Sequence, residues 1–169
     1  MKRSRARTRG GALLESVLLA PILFALLIGT VELGRIAYTY YMLQKVMFNL
    51  ARYIGTQQGV NFCDSQDATV QAAINYALTG TSDSVGNPLV AGLTPGMFQI
   101  GIERYDSVSQ QLIPCDCSAA GCDTSQGGAP PGFIDVSLAN GYTVSPVFWG
   151  FNIDPFPLRP AVRVPYGGT

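Results

Sequence analysis

The chain has 169 residues, enough for one domain of ordinary size, and balances eleven Lys plus Arg against eleven Asp plus Glu. It contains no His, which removes the most common general base and a favoured metal ligand. Lys2, Arg3, Arg5, Arg7 and Arg9 crowd the N-terminus, so the remainder carries six cations against eleven anions, a balance without the electrostatic footprint of a nucleic-acid partner.

From Ser16 to Val31 there is no charged residue. That run gives about 24 Å of helix, and adding Gly11–Leu14 brings it close to the roughly 30 Å hydrocarbon thickness of a bilayer. Basic residues before such a segment stay cytoplasmic, which puts the chain beyond about Glu32 on the far side of the membrane. Gly29-Thr30-Val31 fits a signal-peptidase junction poorly, so the helix is expected to stay with the protein. Glu15 at its start needs a partner, because a carboxylate at mid-membrane costs about 2.5–3.5 kcal/mol. Pro21 removes one backbone hydrogen bond inside the helix. It marks either a functional kink or local melting of the helix, or a static bend.

The apolar spacing continues through Leu33, Ile36, Ala37, Tyr40, Met47, Leu50, Ala51 and Ile54, which predicts one helix over 11–56 with Gly55 and Gly59 at its stop. Tyr38, Tyr40 and Tyr41 suit an aromatic belt or packing of the exported part. Glu32 and Arg35 are spaced as a helix-surface pair. A second helix is predicted over Gln66–Leu78, capped by Asp64 or Ser65 and ended by Gly80. Alternation predicts strands at Met97–Tyr105, Phe133–Ala139 and Pro160–Val164. Asn140-Gly141 before Tyr142-Thr143-Val144 is the strongest hairpin signal. The sum is an α+β fold: a long N-terminal transmembrane and spine helix packed on a small antiparallel sheet, with a second short helix. Phe148, Trp149, Phe151 and Phe156 crowd a Pro-rich stretch, where core packing is favoured over an exposed apolar surface.

Cys63, Cys115, Cys117 and Cys122 form an even set in a small, loop-rich region, which predicts two disulfides over a zinc site. Cys117–Cys122 and Cys63–Cys115 are the favoured pairs. No G-x-S-x-G elbow, phosphate loop or dinucleotide fingerprint appears. Asp64 and Asp67 fit a helix N-terminus, and Asp116 and Asp123 lack a calcium loop. Gly127–Gly132 reads as a turn region. The expectation is a non-catalytic protein with no cofactor and no resident metal.

A family resemblance rests on Arg9-Gly10, Gly11-Ala12-Leu13-Leu14-Glu15, Pro21, Gly29-Thr30-Val31-Glu32-Leu33-Gly34-Arg35 and Asn49-Leu50-Ala51-Arg52-Tyr53. These elements, in this order, resemble TadE-like pseudopilins of the tight-adherence (Tad/Flp) pilus system. Leu33 stands where the family usually has Phe. The resemblance implies a type IV pilin-like minor pilin made with a basic leader, residues 1–10. A membrane-embedded prepilin-type peptidase would cut after Gly10, leaving Gly11 first and Glu15 fifth. Glu15 then lies about one turn from the new ammonium group and can compensate that of a neighbouring subunit. Residues 11–58 would be the transmembrane and spine helix, and 59–169 a periplasmic α+β head. The implied partners are the bacterial inner membrane, the peptidase, homologous pseudopilins, the major pilin and the Tad assembly platform, with adhesion or biofilm formation as output. The alternative is a signal-anchored, single-span periplasmic protein of another envelope or secretion complex.

Overall fold

The computed structural model describes residues 8–83, 85–119, 121–148 and 151–168. The N-terminal cations up to Arg7 and Trp149 lie outside the described residues. The first element, α1 (Thr8–Gly55), is a helix of 48 residues, about 72 Å at 1.5 Å per residue, and it runs without interruption through Pro21. It ends where expected: the Thr56 N–H turns back to the Tyr53 carbonyl at 3.3 Å, and Gly59 adopts a φ of 68°.

The chain divides into two compact units. One holds α1 up to Tyr38 together with Ser145–Phe156. In it, β5 (Val147–Phe148) and β6 (Phe151–Asn152) form a short antiparallel hairpin with Phe148 opposite Phe151. The expectation that Phe148 and Phe156 plug the core fails. Phe148 is half-buried and Phe156 exposed, and neither joins the main apolar cluster.

The other unit holds Thr39–Val144 with Pro157–Thr169. Its sheet has the order β2-β1-β3-β8, all antiparallel, built from β1 (Phe98–Asp106), β2 (Gln111–Pro114), β3 (Phe133–Leu138) and β8 (Ala161–Pro165). Ile102 stands opposite Ile134, and Ile134 opposite Val164, so alternate residues of three strands turn apolar side chains to one face. On the other face Arg163 reaches Glu103 at 2.7 Å. The core joins Ile102, Ile134, Val136 and Leu138 to Leu43, Val46, Met47, Leu50, Ala51 and Ile54 of α1. Helix α2 (Ala68–Thr79) adds Val70, Ala73, Ile74, Ala77 and Leu78. The three-and-four spacing of α1 is therefore buried only from Leu43 onwards. Leu33, Ala37 and Tyr40, expected on the same face, are exposed.

Two local expectations are corrected. The cap of α2 is Asp67, whose carboxylate accepts the N–H groups of Thr69 at 2.8 Å and Val70 at 3.2 Å. Asp64 instead accepts the Gln66 N–H in the preceding turn. Asn140-Gly141 does make a turn, with Gly141 at φ 73° and its N–H on the Leu138 carbonyl, but it forms no hairpin. Both edges of β3 are already taken by β1 and β8, so β4 (Tyr142–Val144) leaves the sheet and pairs with β7 (Phe156–Leu158).

Candidate membrane and assembly segment

Helical geometry turns the apolar run of α1 into a membrane-compatible surface. Leu13, Leu14, Val17, Leu18, Ile22 and Leu23 are each more than half exposed, since the local chain provides nothing to cover them. The segment is long and apolar enough to cross a bilayer, and none of its apolar window is buried within the protein. Val17, Ala20, Pro21, Phe24, Ala25 and Ile28 line a shallow groove along one face. Small residues flanked by larger ones let a second helix approach closely in lipid.

Glu15 is exposed on this helix, one turn beyond Gly11. A Cβ at Gly11 or Gly34 would meet open space, so at neither position does packing within the chain demand glycine. Gly29 differs: its added Cβ would lie 3.7 Å from the Phe148 ring. Glu32 and Arg35 form the expected pair at 2.9 Å, and the Arg35 guanidinium also donates to the Ser145 carbonyl at 2.9 Å. Thus Gly29, Glu32 and Arg35 share one neighbourhood with Ser145 and Phe148. Gly10, Glu15 and Pro21 are lower on the same helix. Nothing in the spacing of the sequence pointed to Ser145 or Phe148, because these contacts cross more than a hundred positions.

All four cysteines are bridged, as Cys63–Cys117 and Cys115–Cys122. This corrects the pairing favoured from sequence. The Cys115 N–H donates to the Ile102 carbonyl at 2.8 Å and extends the β1–β2 register by one residue. The loop bearing Cys122 is held against β1 by Arg104, which donates to the Gly121 carbonyl at 2.9 Å and to the carbonyls of Cys122 and Ala129. Cys115 and Cys122 are thereby brought together, and Cys117, beyond the strand, is left for Cys63. The sulfurs of Cys63, Cys117 and Cys122 lie within 4.8 Å of one another because the two bridges pack side by side.

Asp123 is fully buried, accepting the Phe62 N–H at 2.6 Å and the Thr124 hydroxyl at 3.0 Å. Asp116 is exposed, and hydrogen bonds from Ser118 hold its carboxyl below the usual aspartate value. Each of these acids has hydrogen-bond donors within the protein. A recess of about 550 Å³ between α2 and the start of β1 is walled by Phe62, Gln66, Gln71, Ile74, Phe98 and the Cys63–Cys117 bridge, with no charged side chain among the described residues of its lining. Arg104 and Asp123 escaped sequence reasoning: each acts on backbone atoms of a distant loop, for which no local pattern exists.

The family comparison falls on the N-terminal helix. Residues 10–52 match the family model described as TadE-like protein. The matched segment therefore covers Gly10, Gly11, Glu15, Pro21, the Gly29–Arg35 motif and the Ala51-Arg52 pair, as the resemblance led one to expect, and leaves most of the β-containing unit outside the match. No curated protein and no solved structure matches the chain.

Proposed function

We propose that this protein is a non-catalytic minor pseudopilin of a Tad-type pilus assembly system. The observation that carries the reading is the TadE-like match over residues 10–52, which includes a membrane-length apolar stretch of α1 left uncovered by the rest of the protein. In this reading the chain is made as a prepilin with leader 1–10, cut after Gly10 by a prepilin-type peptidase and anchored by one span in the bacterial inner membrane. The basic leader keeps the N-terminus cytoplasmic, and residues 59–169 form the periplasmic head. Residues 11–58 supply both the anchor and the spine. Assembly proceeds by packing of apolar helices from homologous pseudopilins and the major pilin on the Tad platform, in support of adhesion. Glu15 compensates the new ammonium group of an adjacent subunit, since neither charge is stable alone in an apolar filament core.

The deciding experiment is the intact mass and N-terminal residue of the membrane form, with and without the cognate peptidase. A peptidase-dependent start at Gly11 is expected. A start at Met1, in cells where other prepilins are processed, overturns the reading and leaves a signal-anchored periplasmic protein of another envelope complex.

A further inference from the structure

We infer that the β5–β6 hairpin is a second membrane contact, lying in the headgroup layer of the same bilayer that α1 crosses. The inference rests on the membrane reading of α1. The hairpin and the helix up to Tyr38 belong to one compact unit, and two contacts fix the hairpin to the helix. The Arg35 guanidinium holds the Ser145 carbonyl where the hairpin segment begins. The Phe148 ring lies over Gly29, close enough that a Cβ added there would touch it at 3.7 Å. Gly29 lies inside the uncharged run, about 4.5 Å to the membrane side of Glu32 along the helix axis. The hairpin is thus tied at the level where the span ends.

Its surface is apolar there. Val147 is 66% exposed and Ile153 44%, and Leu26, Leu27 and Val31 of the same unit are exposed as well. Asp154 is the one charged residue between Ser145 and Phe156. A water-facing hairpin gains nothing from this composition, whereas an interfacial one buries it. The depth is limited by the backbone. A two-stranded hairpin leaves unpaired N–H and C=O groups, which exclude it from the hydrocarbon centre and hold it among headgroups and water. Pro146 and Pro155 flank the strands and offer no N–H to satisfy. Aromatic side chains favour that layer.

The test uses the full chain in vesicles of phosphatidylethanolamine and phosphatidylglycerol with acyl chains brominated near the headgroup or near the bilayer centre. Single-tryptophan probes are Val147→Trp, Ile153→Trp and, as a control for the span, Leu19→Trp, each in a Trp149→Phe background. Emission from the two hairpin probes is expected to fall strongly with shallow bromines and little with deep ones, while the Leu19→Trp probe is quenched by deep bromines. Quenching of Leu19→Trp alone overturns the hairpin inference and leaves the anchor standing; a blue-shifted, unquenched hairpin probe would then indicate protein as its cover. No quenching at any of the three positions overturns the membrane reading and the inference with it.

Discussion

The Phe62 backbone N–H donates to the buried Asp123 carboxylate at 2.6 Å across 61 positions of sequence. This contact ties the loop after α1 to the loop that follows the last cysteine, beside the ring pair of Phe62 and Tyr166, whose centroids are 5.7 Å apart. Removing the acceptor leaves a buried donor unpaired, which costs about 1–3 kcal/mol. Asp123→Ala should lose that much stability, and Asp123→Asn, which keeps one oxygen, should lose less. Urea unfolding of the full chain in detergent measures both, and an Asp123→Ala protein as stable as the parent contradicts the assignment.

The two disulfides should differ in weight. Cys63–Cys117 spans 54 positions and Cys115–Cys122 only 7. Loop-closure entropy alone gives about 4 kcal/mol for the long bridge and about 2.5 kcal/mol for the short one. The double variant Cys63→Ser/Cys117→Ser should therefore unfold at lower urea than Cys115→Ser/Cys122→Ser. Mass spectrometry of unreduced peptides checks the pairing directly: a peptide linking Cys63 to Cys115 would contradict it.

Gly141 is required by its turn. Its φ is 73°, and an added Cβ would stand 2.8 Å from the Leu158 carbonyl oxygen. Gly141→Ala combines left-handed strain with a collision against β7, and we expect a loss of about 1–3 kcal/mol. Gly59→Ala has a similar φ of 68° in open space and serves as the control, with the smaller loss. Equal midpoints for the two variants would remove the steric part of the argument.

Tyr166 gives the protein an alkaline limit. Burial, and then the charge of Asp123, push its phenol above the usual tyrosine value. A raised folded value means that the unfolded chain ionises first as the pH climbs through about 10. The contribution to stability is thus complete below that pH and is lost as the pH rises towards the folded value. The phenol also donates to the Gln57 carbonyl at 2.8 Å, which a phenolate cannot do. Tyr166→Phe should cost about 0.5–1.5 kcal/mol at neutral pH and show a shallower alkaline decline than the parent. Parallel declines in the two proteins would rule out Tyr166 as a source of the limit.

The secondary structure was largely legible, and its errors are instructive. α1, α2, β1, β3 and β8 follow from local apolar spacing, which a chain reader can count. The cap of α2 was misplaced because Ser65, Asp64 and Asp67 are all competent acceptors within one turn, and only backbone conformation selects among them. β2, β5, β6 and β7 went unseen, being two to four residues long and too short to establish a period. The segment that matches the TadE-like model was legible because Gly10, Gly11, Glu15, Pro21 and the Gly29–Arg35 motif form a linear pattern. What touches that segment from elsewhere in the chain was invisible, since Ser145 and Phe148 carry no mark of the helix they meet.

The sequence by itself determined a membrane-length N-terminal helix, its charge asymmetry and an α+β class, because hydrophobic period and charge placement are properties of neighbouring residues. The cysteine pairing, the partner of β4, the burial of Asp123 and the tie between Arg35 and Ser145 were decided only by tertiary structure. Each depends on which strand edge is already occupied and on which side chains a distant loop brings within bonding distance, and those are properties of the packed chain.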